Sequence, residues 1–206
     1  MKNNTIVKDT FALTLITLIA GVLLGLVYNI TAEPIAAEQA RSKAEAYQAV
    51  FQDADSFEVV ADAQVPELES YLDENGYTAD NIDEVMQAVD ASGNSLGYAF
   101  TVTSSQGYGG DIQLAMGIQS DGTVNGISFM SISETAGVGM KDDSDDFKNL
   151  YAGKQVEKFE YTKSGATQDN QVDAISCATI TTNAVTDAVN ACLCAFQYYE
   201  EGGSEA

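Results

Sequence analysis

From Phe11 to Ile30 the chain runs for twenty residues without a charge, in a composition dominated by Leu, Ile, Val and Ala. Core helices of soluble domains carry shorter uncharged runs, whereas a helix of this length rises about 30 Å, the thickness of the hydrocarbon layer of a bilayer. The run is read as a permanent transmembrane helix over 11–30, behind a short N-terminus at 1–10. A cleaved signal peptide is the alternative, but its apolar core is normally about 7–15 residues, and Ala32-Glu33-Pro34 and Ile35-Ala36-Ala37 are weak cleavage contexts. Lys2 and Lys8 precede the run while Glu33 and Glu38 follow it. The positive-inside bias therefore places the N-terminus in the cytoplasm and residues 31–206 on the outer side of the cell membrane.

Only Lys2, Lys8 and Asp9 lie ahead of the run, so the remainder holds seven of the nine cationic residues and thirty of the thirty-one acidic ones, a net of −23. That balance excludes nucleic acid as a partner and disfavours anionic lipid surfaces for the domain. Asp142-Asp143-Ser144-Asp145-Asp146 lacks the spaced ligands and glycine of a calcium loop and reads instead as the cap of a short helix through Phe147 and Leu150. Cys177, Cys192 and Cys194 do not build a disulfide framework. The last two stand two apart on a predicted helix and so face different directions. With no histidine and no Cys-x-x-Cys pair, no zinc, haem or iron-sulfur ligation and no catalytic residue is expected from this chain.

Behind the span, Ala36–Gln52 is helix-prone, and 31–56 is read as a connecting helix leading into a domain over 57–206. Pro66–Leu72 is a candidate short helix, and Asn75-Gly76 a turn. Strand patterns then follow. Val85–Val89 and Leu96–Thr103 flank a turn at 91–95, and Tyr98, Phe100 and Val102 alternate as on a half-buried strand. Ile112, Leu114, Met116 and Ile118 alternate likewise, and Asp121-Gly122 turns the chain into Val124–Ile132. Val185, Ala188, Val189, Cys192 and Phe196 then recur at the spacing of one helical face, with Thr181, Thr182 and Asn183 available to cap its start. The expected class is α+β: an N-terminal transmembrane helix followed by a small antiparallel sheet with packed helices.

Ahead of that last helix stands Asp173-Ala174-Ile175-Ser176-Cys177-Ala178-Thr179-Ile180-Thr181-Thr182. With one substitution it resembles the Asp-x-x-Ser/Thr-Gly-Ala-Thr motif of the covalent FMN-binding domain family. Gly107-Tyr108-Gly109-Gly110, Asp121-Gly122, Glu134-Thr135-Ala136-Gly137-Val138-Gly139-Met140-Lys141, Phe147 and Gly153-Lys154 follow one another as in that family. Together with one span ahead of the domain, the chain resembles the G subunit of the Rnf complex, an ion-translocating ferredoxin:NAD oxidoreductase. It is related to the C subunit of the sodium-pumping quinone reductase. The resemblance implies an electron-transfer flavoprotein subunit with no independent catalysis, carrying FMN by a phosphoester to Thr179. It also implies a flavin transferase for maturation, the other Rnf membrane and iron-sulfur subunits as partners, and the bilayer as support.

A threonine hydroxyl is a poor nucleophile, and a chain without histidine offers little to activate one, so attachment falls to another enzyme. Ser176, Cys177 and Ala178 are small enough for a second protein to close over the backbone. A phosphate on Thr179 would lie near a helix N-terminus, which favours anions. Ile180 and Thr182 complete that side of the expected site. The other side is the segment 133–141, where Gly137 and Gly139 allow close approach to a flat ring and Val138 or Met140 cover its face. Glu134, Thr135 and Tyr108 are expected as contacts, with Lys141 as a positive charge. Cys177 stands where the family has glycine, a cost of about 1–2 kcal/mol if the backbone there is left-handed. Ser164-Gly165-Ala166-Thr167 repeats the core literally and leaves Thr167 as the alternative acceptor. Against it, Tyr161 replaces the aspartate and no apolar helix follows. A membrane-tethered flavoprotein serving an external acceptor, and a non-redox assembly subunit with an unmodified motif, are the rival functions.

Overall fold

The computed structural model describes residues 2–61, 66–134, 144–176 and 178–200, and divides into two compact units, 1–42 and 43–206. Helix α1 is Lys2–Val50. Its first unit contains the apolar run, whose large side chains from Phe11 to Ile30 are exposed, and the helix is long and apolar enough to cross a membrane. Three of its polar side chains bond to the carbonyls one turn back, as a hydrocarbon surrounding would demand. Thr14 donates to the Thr10 carbonyl at 2.9 Å, Thr17 to Leu13 at 3.0 Å and Asn29 to Gly25 at 2.8 Å. Pro34 lies inside the helix; lacking an N–H, it leaves the Ile30 carbonyl without its usual partner just where the apolar run ends.

The second unit is built on a five-stranded antiparallel meander, β1 (Ser56–Ala61), β2 (Asp80–Val89), β3 (Ser95–Ser104), β4 (Ile112–Gln119) and β5 (Val124–Ile132), in sequential order. Helix α2 (Pro66–Glu74) joins β1 to β2. Beyond β5 come α3 (Asp145–Lys148), two short parallel strands β6 (Glu160–Thr162) and β7 (Gln171–Asp173), and helix α4 (Thr179–Glu200). Alternation sorts the sheet into two unlike faces. Phe100, Val102, Ile112, Leu114, Met116 and Ile118, all fully buried, form one core with Val185, Ala188, Val189, Cys192 and Phe196 of α4. The other face is lined by Ala88, Ala99 and Ala115, and Ala46, Tyr47 and Val50 of the last turns of α1 pack on it together with Phe51 just beyond.

Small residues on that second face let the helix sit close. A Cβ added at Gly117 would lie 3.0 Å from the Val50 Cβ and carbonyl oxygen. Polar pairing locks the contact: the Tyr47 hydroxyl donates to Glu84 Oε2 at 2.6 Å, lies 2.7 Å from Thr101 Oγ1, and Glu84 also pairs with Lys43.

Three features differ from the sequence reading. The polar stretch after Asp53 contains β1, an edge strand with Val59 67% exposed, so burial leaves no alternating trace there. Strand β2 begins at Asp80 rather than Val85. Thr181 and Thr182 do not cap α4; the helix already begins at Thr179, and both are buried within it. Cys192 and Cys194 are both buried in α4.

Candidate functional site

Thr179 is the first residue of a 22-residue helix and is half-buried. Ala178 beside it is 3% exposed and anchors the turn in the core, while Ile180 is 55% exposed and Ser176 is exposed. The loop is closed by short-range bonds: Ala178 N–H to the Ile175 carbonyl at 3.0 Å and Thr182 N–H to the Ala178 carbonyl at 2.8 Å. Thr182 is fully buried, and its Oγ1 accepts the Ile175 N–H at 3.4 Å. It thus ties the loop to the first turn of α4 rather than presenting its hydroxyl to solvent.

The strand entering the loop is held from below. Parallel pairing sets Thr162 against Asp173, and Ala174 N–H reaches the Thr162 carbonyl at 2.7 Å. Phe159, just ahead of β6, is bound on both backbone groups by one side chain, Asn190 of α4: its N–H donates to Asn190 Oδ1 at 2.8 Å and its carbonyl accepts from Nδ2 at 3.0 Å. Tyr151 stacks edge-on against Phe159, with centroids 5.1 Å apart, and its hydroxyl lies 3.0 Å from Thr186 Oγ1. Thr186 in turn donates to the Thr182 carbonyl at 2.8 Å. Since that bond uses the single hydroxyl proton of Thr186, Tyr151 is the donor to Thr186. Asn190, Tyr151 and Thr186 did not stand out in the sequence, because a lone Asn or Thr on an apolar helix carries no signature of its partner.

At the other end of β5, Glu134 is 8% exposed, and its Oε1 accepts the Tyr108 N–H at 2.8 Å. A Cβ at Gly109 would overlap the Ser133 carbonyl oxygen, so only glycine lets the 107–110 loop lie against the end of β5. Tyr108 is thereby held 72% exposed. The structure joins Glu134 to Tyr108, and separately gathers Ser176, Ala178, Thr179, Ile180 and Thr182 at the start of α4. Thr135, Gly137, Val138, Gly139, Met140, Lys141 and Cys177 lie outside the described residues.

Five of the nine cationic residues fall at 141, 148, 154, 158 and 163, directly ahead of the motif in an otherwise acidic chain. Lys154 lies against the Phe159 ring at 5.7 Å and reaches the Gln171 carbonyl of β7 at 3.4 Å; burial lowers its pKa. Lys158 opposes Asp187 of α4, whose carboxyl is raised chiefly by burial. Thr167, the alternative acceptor, is exposed between β6 and β7, with its N–H and hydroxyl both directed to Gln171 Oε1 at 2.9 and 3.1 Å. A cavity of about 400 Å³ between α2 and β2, lined by Leu68, Leu72, Asp80 and Ser105 among others, includes none of the motif residues.

These features fit a phosphate-linked flavin. The start of a long helix supplies N–H groups without intrahelical acceptors, and a solvent-reachable hydroxyl is flanked by exposed apolar surface at Ile180. Fold and site together define an α+β FMN-binding domain behind an N-terminal apolar helix. The family described as FMN-binding domain matches residues 107–194, and that described as RnfG N-terminal region matches residues 1–50. The G subunit of an ion-translocating oxidoreductase complex from Methanosarcina acetivorans is 33% identical over 186 residues, covering 90% of this chain and 91% of the relative. The chain belongs to this RnfG family. The G subunit of the Na(+)-translocating ferredoxin:NAD(+) oxidoreductase complex from Acetobacterium woodii is 28% identical, covering 90% of this chain and 88% of that protein. The proton-translocating counterpart of Clostridium ljungdahlii is 27% identical, with coverage of 90% and 89%. A crystal structure of Shewanella oneidensis NqrC overlaps with a TM-score of 0.49 at 20% identity, over 57% of this chain and 61% of that one.

Proposed function

We propose that the chain is an electron-relay subunit of an Rnf-type ferredoxin:NAD oxidoreductase and that Thr179 carries its FMN through a phosphoester. The reading is supported by relatives that match nine-tenths of the chain and are named as G subunits of such complexes. It is carried by one observation: Thr179 opens α4 at the end of a loop whose neighbours are pinned while its own side chain remains half-exposed. When bound, FMN supplies reversible one- and two-electron uptake. The protein's part is to orient it. The helix start favours the phosphate, Ile180 and Tyr108 offer exposed surface for the ring, and Glu134 fixes the Tyr108 loop. Attachment by a flavin transferase forms a bond between the Thr179 oxygen and the FMN phosphorus of FAD. The pyrophosphate bond breaks, AMP leaves, and the hydroxyl proton passes to a base on the transferase.

The apolar helix anchors the domain in the cell membrane, with the N-terminus cytoplasmic and the flavin outside, and the other Rnf membrane and iron-sulfur subunits are its electron partners. Its relatives include one sodium-named and one proton-named protein at nearly equal identity, and a single apolar helix offers no charged path. Ion choice therefore belongs to other subunits. A specific observation favours a second reading, an unmodified assembly subunit: Cys177 occupies the motif's glycine position. In-gel flavin fluorescence after denaturation separates the two, using wild type, Thr179→Ala and Thr167→Ala expressed with a flavin transferase. Fluorescence lost only with Thr179→Ala supports the relay; none in wild type leaves the assembly reading.

A further inference from the structure

We propose that Asn190 is the positioning residue for flavin attachment, setting where the 174–178 loop presents Thr179; this rests on the reading that Thr179 is the acceptor. Asn190 is 2% exposed in the middle of α4. Asparagine is a mediocre helix former, and a buried one must place its donors and acceptor on partners. Here both bonds go to the backbone of a single residue, Phe159, at 2.8 and 3.0 Å, in the manner of a strand partner. Phe159 leads directly into β6, β6 fixes β7 by parallel pairing, and the Ala174 N–H extends that pairing to the Thr162 carbonyl. Five residues later the chain is at Thr179.

Both ends of the acceptor loop are therefore referenced to one rigid body. Its exit is α4 itself, and its entry is tied back to α4 through β7, β6, Phe159 and Asn190. Asn190 stands eleven residues beyond Thr179, about three helical turns, so it acts through the backbone and not by touching the acceptor. A transferase must find the hydroxyl in line with a phosphorus atom, and a displacement of about 1 Å in such a geometry can cost roughly 100-fold in rate.

The test is the initial rate of covalent FMN attachment to the full-length chain in membranes with a flavin transferase and FAD, normalised to folded protein. Asn190→Leu, with the same branched heavy-atom skeleton, removes both bonds to Phe159. Leu114→Ala, in the sheet core and remote in sequence from the motif, serves as a control of matched instability. Asn190→Leu is expected to attach FMN at one-tenth of the wild-type rate or less, while Leu114→Ala attaches at the wild-type rate. If Asn190→Leu does not fold, Asn190→Asp takes its place: it keeps the acceptor for the Phe159 N–H, loses the donor to the carbonyl, and is expected to attach several-fold more slowly than wild type. An Asn190 variant labelled as fast as wild type, or a fall shared equally by Leu114→Ala, overturns the proposal alone. A wild-type chain that takes up no FMN overturns it together with the Thr179 reading.

Discussion

Asp80 opens β2 with 6% of its surface exposed, and neither carboxylate oxygen has a hydrogen-bond partner. Burial, tempered by Ser104 alongside and reinforced by Asp187 of α4, pushes its carboxyl up to about 6. An unfolded aspartate titrates near about 3.9, so folding disfavours the charged form. Below both values the two states are protonated alike and the penalty vanishes; above about pH 6 it is complete. Two pH units correspond to about 3 kcal/mol. Asp80→Asn removes this dependence. Relative to wild type, the variant is expected to gain about 3 kcal/mol at pH 8 and about half that gain at pH 5, where only part of the penalty has developed. Urea unfolding of both proteins across this range, above the pI of about 4.1, reads the difference directly, and other titrating groups cancel. A difference independent of pH would refute the burial argument, and one that grows toward acid would mean the charged carboxylate is stabilised.

Tyr47→Phe removes the hydroxyl shared by Glu84 and Thr101 at 2.6 and 2.7 Å and is expected to destabilise the second unit by about 1.5–3 kcal/mol, measured by urea unfolding. Gly109→Ala drives a methyl group into the Ser133 carbonyl; a loss of about 1–3 kcal/mol in unfolding, with faster proteolysis near Tyr108, is the expected outcome. Protease added to the outer face of intact cells should remove the domain and leave residues near Phe11–Ile30 protected, whereas cleavage only in inverted vesicles would reverse the assigned orientation.

Strands β3 and β4 were legible because one face of each meets α4 with large apolar residues and the other carries Ala, Thr, Gln or Gly, which writes period two into the sequence. Strand β1 was not, since an edge strand with exposed Val59 has no buried face to record. Strands β6 and β7, of three residues each, are too short to show a period, and they exist through Asn190 and mutual pairing rather than local preference. The first half of β2 was hidden for a different reason: Asp83 there binds Asn81, Thr103 and Gln113 in a polar patch, so it reads as a loop. Thr179 and its motif were singled out by family resemblance, as were Glu134 and Tyr108 one by one, but the bond from the Tyr108 N–H to Glu134 was not read there. Their supports, a buried Asn190 and the Tyr151–Thr186–Thr182 chain, are contacts distant in sequence that no local spacing encodes.

The most direct measurement is peptide mass mapping of the protein purified from its native membrane. No Lys or Arg follows Lys163, so trypsin leaves Thr167 and Thr179 on one fragment. A second cleavage before Asp169, Asp173 and Asp187 separates them. The account predicts FMN, less one water, on the 173–186 peptide; an unmodified 173–186 peptide, with the flavin on 164–168 or nowhere, would contradict it.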